Sequence, residues 1–242
     1  MLLAIDIGNS NVSCGIYDKK QWIFFFRIPT NNNFINQLIQ IKQYNIKDVA
    51  ISSVVPELTT LYLEAIKNLL NINPFIITYK NTNLPLKVDS PNEVGIDRIC
   101  NAIAAITLEG GPAIIGDIGS ATNYDVIDKD GAFIGGSIAP GLETAAKHLF
   151  KKAALLKEIA FNVPQQTIGK NTKTNLQSGI MFGAIDVIDG MFNRIIIETG
   201  WNESHNFITG GFGKLISPYL KTKHKLIPTL TLDGIRIIYS RQ

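Results

Sequence analysis

The sequence predicts an α/β protein built from two similar halves, and three observations carry that expectation. An apolar run closing on Asp-Ile-Gly and a small polar residue occurs twice, as Leu3-Ala4-Ile5-Asp6-Ile7-Gly8-Asn9 and as Ala113-Ile114-Ile115-Gly116-Asp117-Ile118-Gly119-Ser120. Each copy leads into a second strand-like run, an Asp-rich turn (Asp18-Lys19-Lys20 in one, Asp128-Lys129-Asp130-Gly131 in the other) and a third strand. A helical stretch around Arg98 to Leu108 joins the copies and breaks at Gly110-Gly111-Pro112, which sets the halves at 1–110 and 111–242.

Taken in order, Leu2 to Ile7 is short and almost wholly apolar, the pattern of a buried strand, and it runs into a turn at Gly8 and Asn9. Val12 to Tyr17 and Trp22 to Ile28 complete a β-meander. Phe34, Ile35, Leu38, Ile39 and Ile41 recur at roughly helical spacing, so a helix is expected over Phe34 to Tyr44. Val49 to Val55 is another buried strand, and Leu58 to Leu70 a helix begun just after Pro56. In the second half, Leu142 to Leu156 and Gln177 to Ile197 have helical spacing, the latter interrupted by Gly179, Gly183 and Gly190. Asn206 to Thr209 is a strand ending at Gly210-Gly211, and Leu232 to Tyr239 closes the chain.

Composition narrows the function. The 242 residues are 45% hydrophobic and 18% charged, ordinary for a soluble protein able to bury one large core or two modest ones. The net charge of +3 is spread along the chain, so nucleic acid is not the expected partner. Cys14 and Cys100 lie far apart and read as buried thiols. His148, His205 and His224 form no zinc-ligand spacing. Asp6 cuts the apolar start too early for a signal peptide, and no apolar run approaches the roughly 20 residues of a membrane helix. A cytoplasmic protein without membrane contact is expected.

The chemistry concentrates at the repeated turn. A carboxylate at a strand end, followed by glycine and small polar residues, can hold a hydrated Mg²⁺ while backbone N–H groups meet phosphate oxygens. One such turn alone, Asp6-Ile7-Gly8-Asn9-Ser10-Asn11, reads first as a plain β-turn. Two of them at equivalent strand ends would face each other across an interdomain cleft, the way actin-like kinases and ATPases grip ATP. Ile208-Thr209-Gly210-Gly211 adds a strand running into a glycine pair, where a nucleotide's sugar or base can lie against bare backbone. Rival motifs fail: Gly213-Lys214 lacks the earlier P-loop glycine and is followed by Leu215 where Ser or Thr is required, and no GxGxxG follows a strand.

Six ordered motifs resemble those of the type III pantothenate kinases: Asp6 to Asn11; Pro91-x-x-Val94-Gly95-Ile96-Asp97-Arg98 with Asn101 and Ala102; Asp117-x-Gly119-Ser120-Ala121-Thr122-x-x-Asp125; Gly135-Gly136-x-Ile138-x-Pro140-Gly141-Leu142; Thr172 with Gln177-Ser178-Gly179; and Thr209-Gly210-Gly211. The similarity runs on to Pro228-x-Leu230-x-Leu232-x-Gly234. It implies an actin-like ATPase fold of two duplicated ribonuclease-H-like domains with mixed sheets and flanking helices. The implied reaction is ATP-dependent phosphorylation of pantothenate to 4'-phosphopantothenate, the first step of coenzyme A synthesis. By the same resemblance, Asp6, Ile7, Gly8, Asn9, Ser10, Asn11, Val12 and Ser13 wrap the ATP phosphates, Asp6 reaching Mg²⁺ through water, with Ser120, Gly210 and Gly211 on ATP from the other half. Gly95, Ile96, Asp97, Arg98 and Thr172 hold pantothenate, Asp97 accepting the hydroxyl proton, and Val88 stands where some members place a tyrosine on the substrate. Asp117 is implied to bind a monovalent cation, K⁺ or NH₄⁺, and the protein to be a homodimer.

Independently of the family, a hydroxyl nucleophile benefits from a carboxylate acceptor such as Asp97, and a carboxylate substrate from a guanidinium such as Arg98. Two other readings remain at this point: a kinase of the same fold for another small acceptor, and a nucleotide-binding regulatory protein without turnover.

Overall fold

The computed structural model describes residues 1–30, 38–153 and 155–242. It divides into two units, Met1–Leu108 with Thr229–Gln242, and Glu109–Pro228. The first boundary falls beside the expected one. The expected second half of 111–242 is corrected at its end, because the last helix belongs to the first unit.

In the first unit, β1 (Leu2–Ile7), β2 (Asn11–Asp18), β3 (Gln21–Pro29), β4 (Asp48–Ser53) and β5 (Phe75–Ile76) form one sheet in the order β3-β2-β1-β4-β5. The meander β1-β2-β3 is antiparallel, while β4 and β5 join parallel. Central β1 is apolar on both faces because both are covered. Leu3, Ile5 and Ile7 meet Leu58, Tyr62 and Ile66 of α1 (Pro56–Leu70) in one core. Pro56 supplies the first turn of α1, and Asn71 in the left-handed conformation ends it. Of the helix expected over Phe34 to Tyr44, residues 34–37 lie outside the described residues, and Ile39–Gln43 is a short 3-10 turn.

The linking helix α2 (Ile96–Glu109) buries Ile99, Cys100, Ala102, Ile103 and Ala105. The C-terminal helix, α6 in chain order (Leu230–Tyr239), is fixed to this unit by three polar contacts. Trp22 Nε1–H donates to Asp233 at 2.9 Å, Thr231 Oγ1–H to Asn101 at 2.8 Å and Tyr239 O–H to Asp48 at 2.8 Å. These three contacts, with Leu230, Leu232, Ile235, Ile237 and Ile238 all buried, explain why the tail joins the first sheet.

The second unit repeats the plan. β6 (Ala113–Ile118), β7 (Ala121–Ile127), β8 (Phe133–Pro140), β9 (His205–Thr209) and β10 (Lys225–Leu226) take the order β8-β7-β6-β9-β10, again a meander extended by parallel strands. α3 (Leu142–Lys152) ends before the expected Leu156. α4 (Thr172–Thr199) is begun by Asn171, whose side chain accepts the Thr174 N–H, and ended by Gly200 in the left-handed conformation. The short α5 (Gly213–Ile216) follows β9. β1 and β6 are each six residues long with the same burial pattern, the single half-buried residue being the aspartate in fifth place.

Candidate active site

In the first unit the strand-end carboxylate sits between two hydroxyls. Asp6 is in register with Ser13 on β2 and with Ser52 on β4. Ser52 is fully buried, and its hydroxyl donates to Asp6 Oδ1 at 3.1 Å. The turn that follows is held closed by the Gly8 N–H on the Asn11 carbonyl, 3.1 Å, and from the end of the sheet by Thr30, whose hydroxyl donates to the Gly8 carbonyl at 2.8 Å and whose N–H donates to the Ser10 carbonyl at 3.0 Å. Asn9 and Ser10 are exposed at its tip. Ile7 and Val12 are wholly buried, so any part they take in binding falls to their backbone.

Asp97 lies in the first turn of α2, half-buried, with Oδ1 accepting the Arg98 N–H at 2.8 Å. Burial pushes its carboxyl above the ordinary 3.8, while the Arg98 N–H and guanidinium pull the other way. Gly95 makes this pose possible: a Cβ there would stand 2.5 Å from Asp97 Oδ1. Ile96 and Val88 are half-buried in the same unit.

One turn on from Asp97 lies the wholly buried Cys100. Its thiol is raised well above its ordinary 9.0, first by burial and then by the charges of Asp6 and Asp97. Asp6 and Ser52 are one hydrogen-bonded pair near the end of β1. Ser52 and Thr30 were not singled out from the sequence. The signal for Ser52 is the pair Ser52-Ser53 inside a run, Val49 to Val55, that is otherwise apolar.

In the second unit Asp117 is in register with Asn123 and with the buried Thr209. Gly210, with φ of 88°, passes directly over it, and a Cβ there would fall on Asp117 Oδ1 and 2.6 Å from the Ile118 backbone. The structure therefore brings the Asp117 turn and the Gly210-Gly211 pair together. Exposed Ser120 sits at the turn's tip, its carbonyl accepting the Gly141 N–H at 3.1 Å and the Thr144 hydroxyl at 2.7 Å. Thr172 is exposed as the first residue of α4, in this unit and not in the one that holds Gly95 to Arg98. An apolar cavity of about 290 Å³, lined by Thr122, Tyr124, Leu142, Leu149, Gly183 and Ile188 among others, includes none of the residues expected to bind ATP or pantothenate.

Among the described residues no group of three or more His, Cys, Asp or Glu could hold a metal ion. A divalent ion held here would keep most of its shell as water and nucleotide oxygens, which suits Mg²⁺ beside a single carboxylate such as Asp6. No helix among the described residues is long and apolar enough to cross a membrane.

A duplicated mixed sheet with an aspartate closing the first strand of each copy defines an actin-like ATPase fold of the kind found in sugar kinases. Two solved structures share it. A conserved putative Baf family transcriptional activator from Campylobacter jejuni has a TM-score of 0.63 at 21% identity, covering 99% of this chain and 98% of that one. A ROK family protein from Streptococcus pneumoniae TIGR4, in complex with sucrose, has a TM-score of 0.54 at 12% identity, covering 99% and 98%. At such identities the likeness concerns the fold.

The chain belongs to the type III pantothenate kinase family. The family's model matches residues 2–194. The type III pantothenate kinase of Thermomicrobium roseum is 39% identical over 253 residues, covering 100% of this chain and 97% of that protein.

Proposed function

We propose that the protein transfers the γ-phosphate of ATP to the hydroxyl of pantothenate, giving 4'-phosphopantothenate for coenzyme A synthesis in the cytoplasm. Family membership supports the substrate, and the observation that carries the chemistry is the contrast between two carboxylates of the first unit, Asp6 bonded by the buried Ser52 and Asp97 in the first turn of α2. Asp6, on a strand end and hydrogen-bonded by Ser52, is suited to nucleotide and metal. Asp97, half-buried with its carboxyl raised, is suited to taking a proton.

Pantothenate contacts are assigned to Val88, Gly95, Ile96, Asp97 and Arg98 in the first unit and to Thr172 in the second, the Arg98 guanidinium being suited to the pantothenate carboxylate. Asp97 accepts the hydroxyl proton as the oxygen attacks phosphorus. ATP contacts are assigned to Asp6 to Ser13 in the first unit and to Ser120, Gly210 and Gly211 in the second. Mg²⁺, when bound, neutralises charge on the phosphate oxygens. Water exclusion and alignment supply most of the rate in such transfers.

Purified protein should release ADP from Mg²⁺-ATP only when pantothenate is added. Release with a sugar or acetate and none with pantothenate would assign it to another acceptor, and no release with any acceptor would favour a regulatory role.

Asp117 is assigned a monovalent cation, so activity should rise when Na⁺ is replaced by K⁺ or NH₄⁺, and Asp117→Ala should lose that response. The active form is a homodimer, for which light scattering should give about twice the 26.6 kDa chain mass. An apolar stretch of α4 supports self-association: Val187 is 55% exposed, and Gly179, Gly183 and Gly190 have open space where a Cβ would stand. A monomer fully active in Na⁺ would overturn both assignments.

A further inference from the structure

We propose that Ser52 is a positioning residue of the nucleotide site, whose buried hydroxyl fixes the Asp6 carboxylate for Mg²⁺-ATP. The inference rests on the reading of Asp6 given above and extends it to a residue outside the family motifs that define the site.

Three observations carry it. Ser52 is completely buried in a strand whose neighbours Val49, Ala50 and Ile51 are apolar, so a hydroxyl there costs desolvation unless it is bonded. Its bond is to a carboxylate oxygen, the stronger class of hydrogen bond, and the register of β1 on β4 sets it directly opposite Asp6. The second unit keeps the same arrangement. Thr209, also buried, occupies the place opposite Asp117 that Ser52 occupies opposite Asp6. A buried hydroxyl beside the strand-end aspartate is therefore present in both copies, although the strands that carry them, Asp-Val-Ala-Ile-Ser-Ser and His-Asn-Phe-Ile-Thr, otherwise share little.

The hydroxyl has one proton, and it gives that proton to Asp6. A buried side chain bonded in this way holds one rotamer, and Asp6 Oδ1 is held with it. The consequence is specific: loss of Ser52 should loosen the carboxylate that meets the metal's water shell and leave the acceptor side unchanged.

The test uses the full-length protein and isothermal titration, with kinetics beside it. Ser52→Ala should weaken Mg²⁺-ATP binding about tenfold, the worth of a hydrogen bond to a charged group. Binding of ATP in EDTA, and KM for pantothenate, should stay near wild type. Ser52→Thr, which keeps the hydroxyl and copies Thr209, should restore most of the loss. Unchanged Mg²⁺-ATP affinity in Ser52→Ala overturns the inference, as does an equal loss with and without Mg²⁺ accompanied by a lowered melting temperature, which would mark a purely structural role. Asp6→Asn separates the two levels. If it weakens Mg²⁺-ATP binding and Ser52→Ala does not, only the inference falls; if Asp6→Asn itself changes nothing, the reading of Asp6 falls and takes the inference with it.

Discussion

The two units share a sheet order, a strand-end aspartate and a buried hydroxyl opposite it, and they differ in what else they carry. The first has a second carboxylate, Asp97, in the first turn of α2. Over Asp117 lies bare backbone, Gly210 in a left-handed conformation. The turns differ too, Gly8 to Ser10 being one residue longer than Gly119-Ser120. Duplication supplied two equal frames. What distinguishes them is a few side chains, and on the proposed reading the first does proton chemistry and the second admits a close approach of ligand to main chain.

The sharpest way to break that comparison is to remove the carboxylate that only the first unit has. Asp97→Asn should lower kcat by roughly 10² to 10⁴ while ATP and pantothenate binding stay nearly intact, the usual worth of a general base. Loose phosphoryl-transfer transition states favour the lower end. Because Asp97 is raised above the ordinary carboxylate range, the acid limb of kcat/KM against pH should lie above that range and vanish in the variant. The sign for stability is opposite to that of a salt-bridged acid. A folded-state value raised above the unfolded one means the fold binds the proton more tightly, so Asp97 costs stability as pH climbs from about the ordinary 3.8 through the raised value. Asp97→Asn should thus be neutral or stabilising at pH 7, and a urea titration separates lost chemistry from lost fold. If pantothenate binding collapses while kcat holds within a few-fold, Asp97 is a binding residue.

The counterpart in the second unit is Gly210→Ala. A non-glycine residue near φ of 88° costs about 1–2 kcal/mol, and forcing a methyl onto the Asp117 carboxylate and the Ile118 backbone about 1–3 kcal/mol more. A loss of about 2–5 kcal/mol in urea is expected, with weakened nucleotide binding. A variant as stable as wild type with unchanged ATP affinity would mean the backbone there is not the nucleotide's seat.

Much of this was legible because it is local. Repeated apolar runs ending in Asp-Ile-Gly gave the paired sheets, since a central strand covered on both faces reads as a continuous apolar run. Asp97 beside Gly95 was legible as a motif, and the structure adds why the glycine is there. The rest depended on contacts distant in sequence. Ser52 meets Asp6 across 46 positions through a parallel register that sequence periodicity does not encode. The tail was placed with the wrong half because its partners, Trp22, Asn101 and Asp48, are 130 to 211 residues away. Leu142 to Leu156 was drawn too long because its spacing carries no stop signal, whereas Gly200 closes α4 visibly.

The smallest expected effect comes from the glycine of the first unit's turn. Gly8 follows the strand-end Asp6, but unlike Gly210 its φ is not left-handed, and a Cβ would meet only the Asn11 carbonyl, at 3.0 Å. Alanine there gains about 0.4–1 kcal/mol from the restricted unfolded chain and gives back a similar amount to the tight contact. The carbonyl belongs to a turn that can shift by a few tenths of an ångström. Gly8→Ala should therefore change stability by less than about 1 kcal/mol in the same urea titration that shows the Gly210→Ala loss. Any larger effect should appear in ligand binding, because the turn is where phosphate oxygens are assigned to approach the main chain. Mg²⁺-ATP titration on the variant reads that directly. If Gly8→Ala destabilises as much as Gly210→Ala, the two turns carry equal strain, and the contrast between a side-chain site in the first unit and a backbone site in the second is wrong.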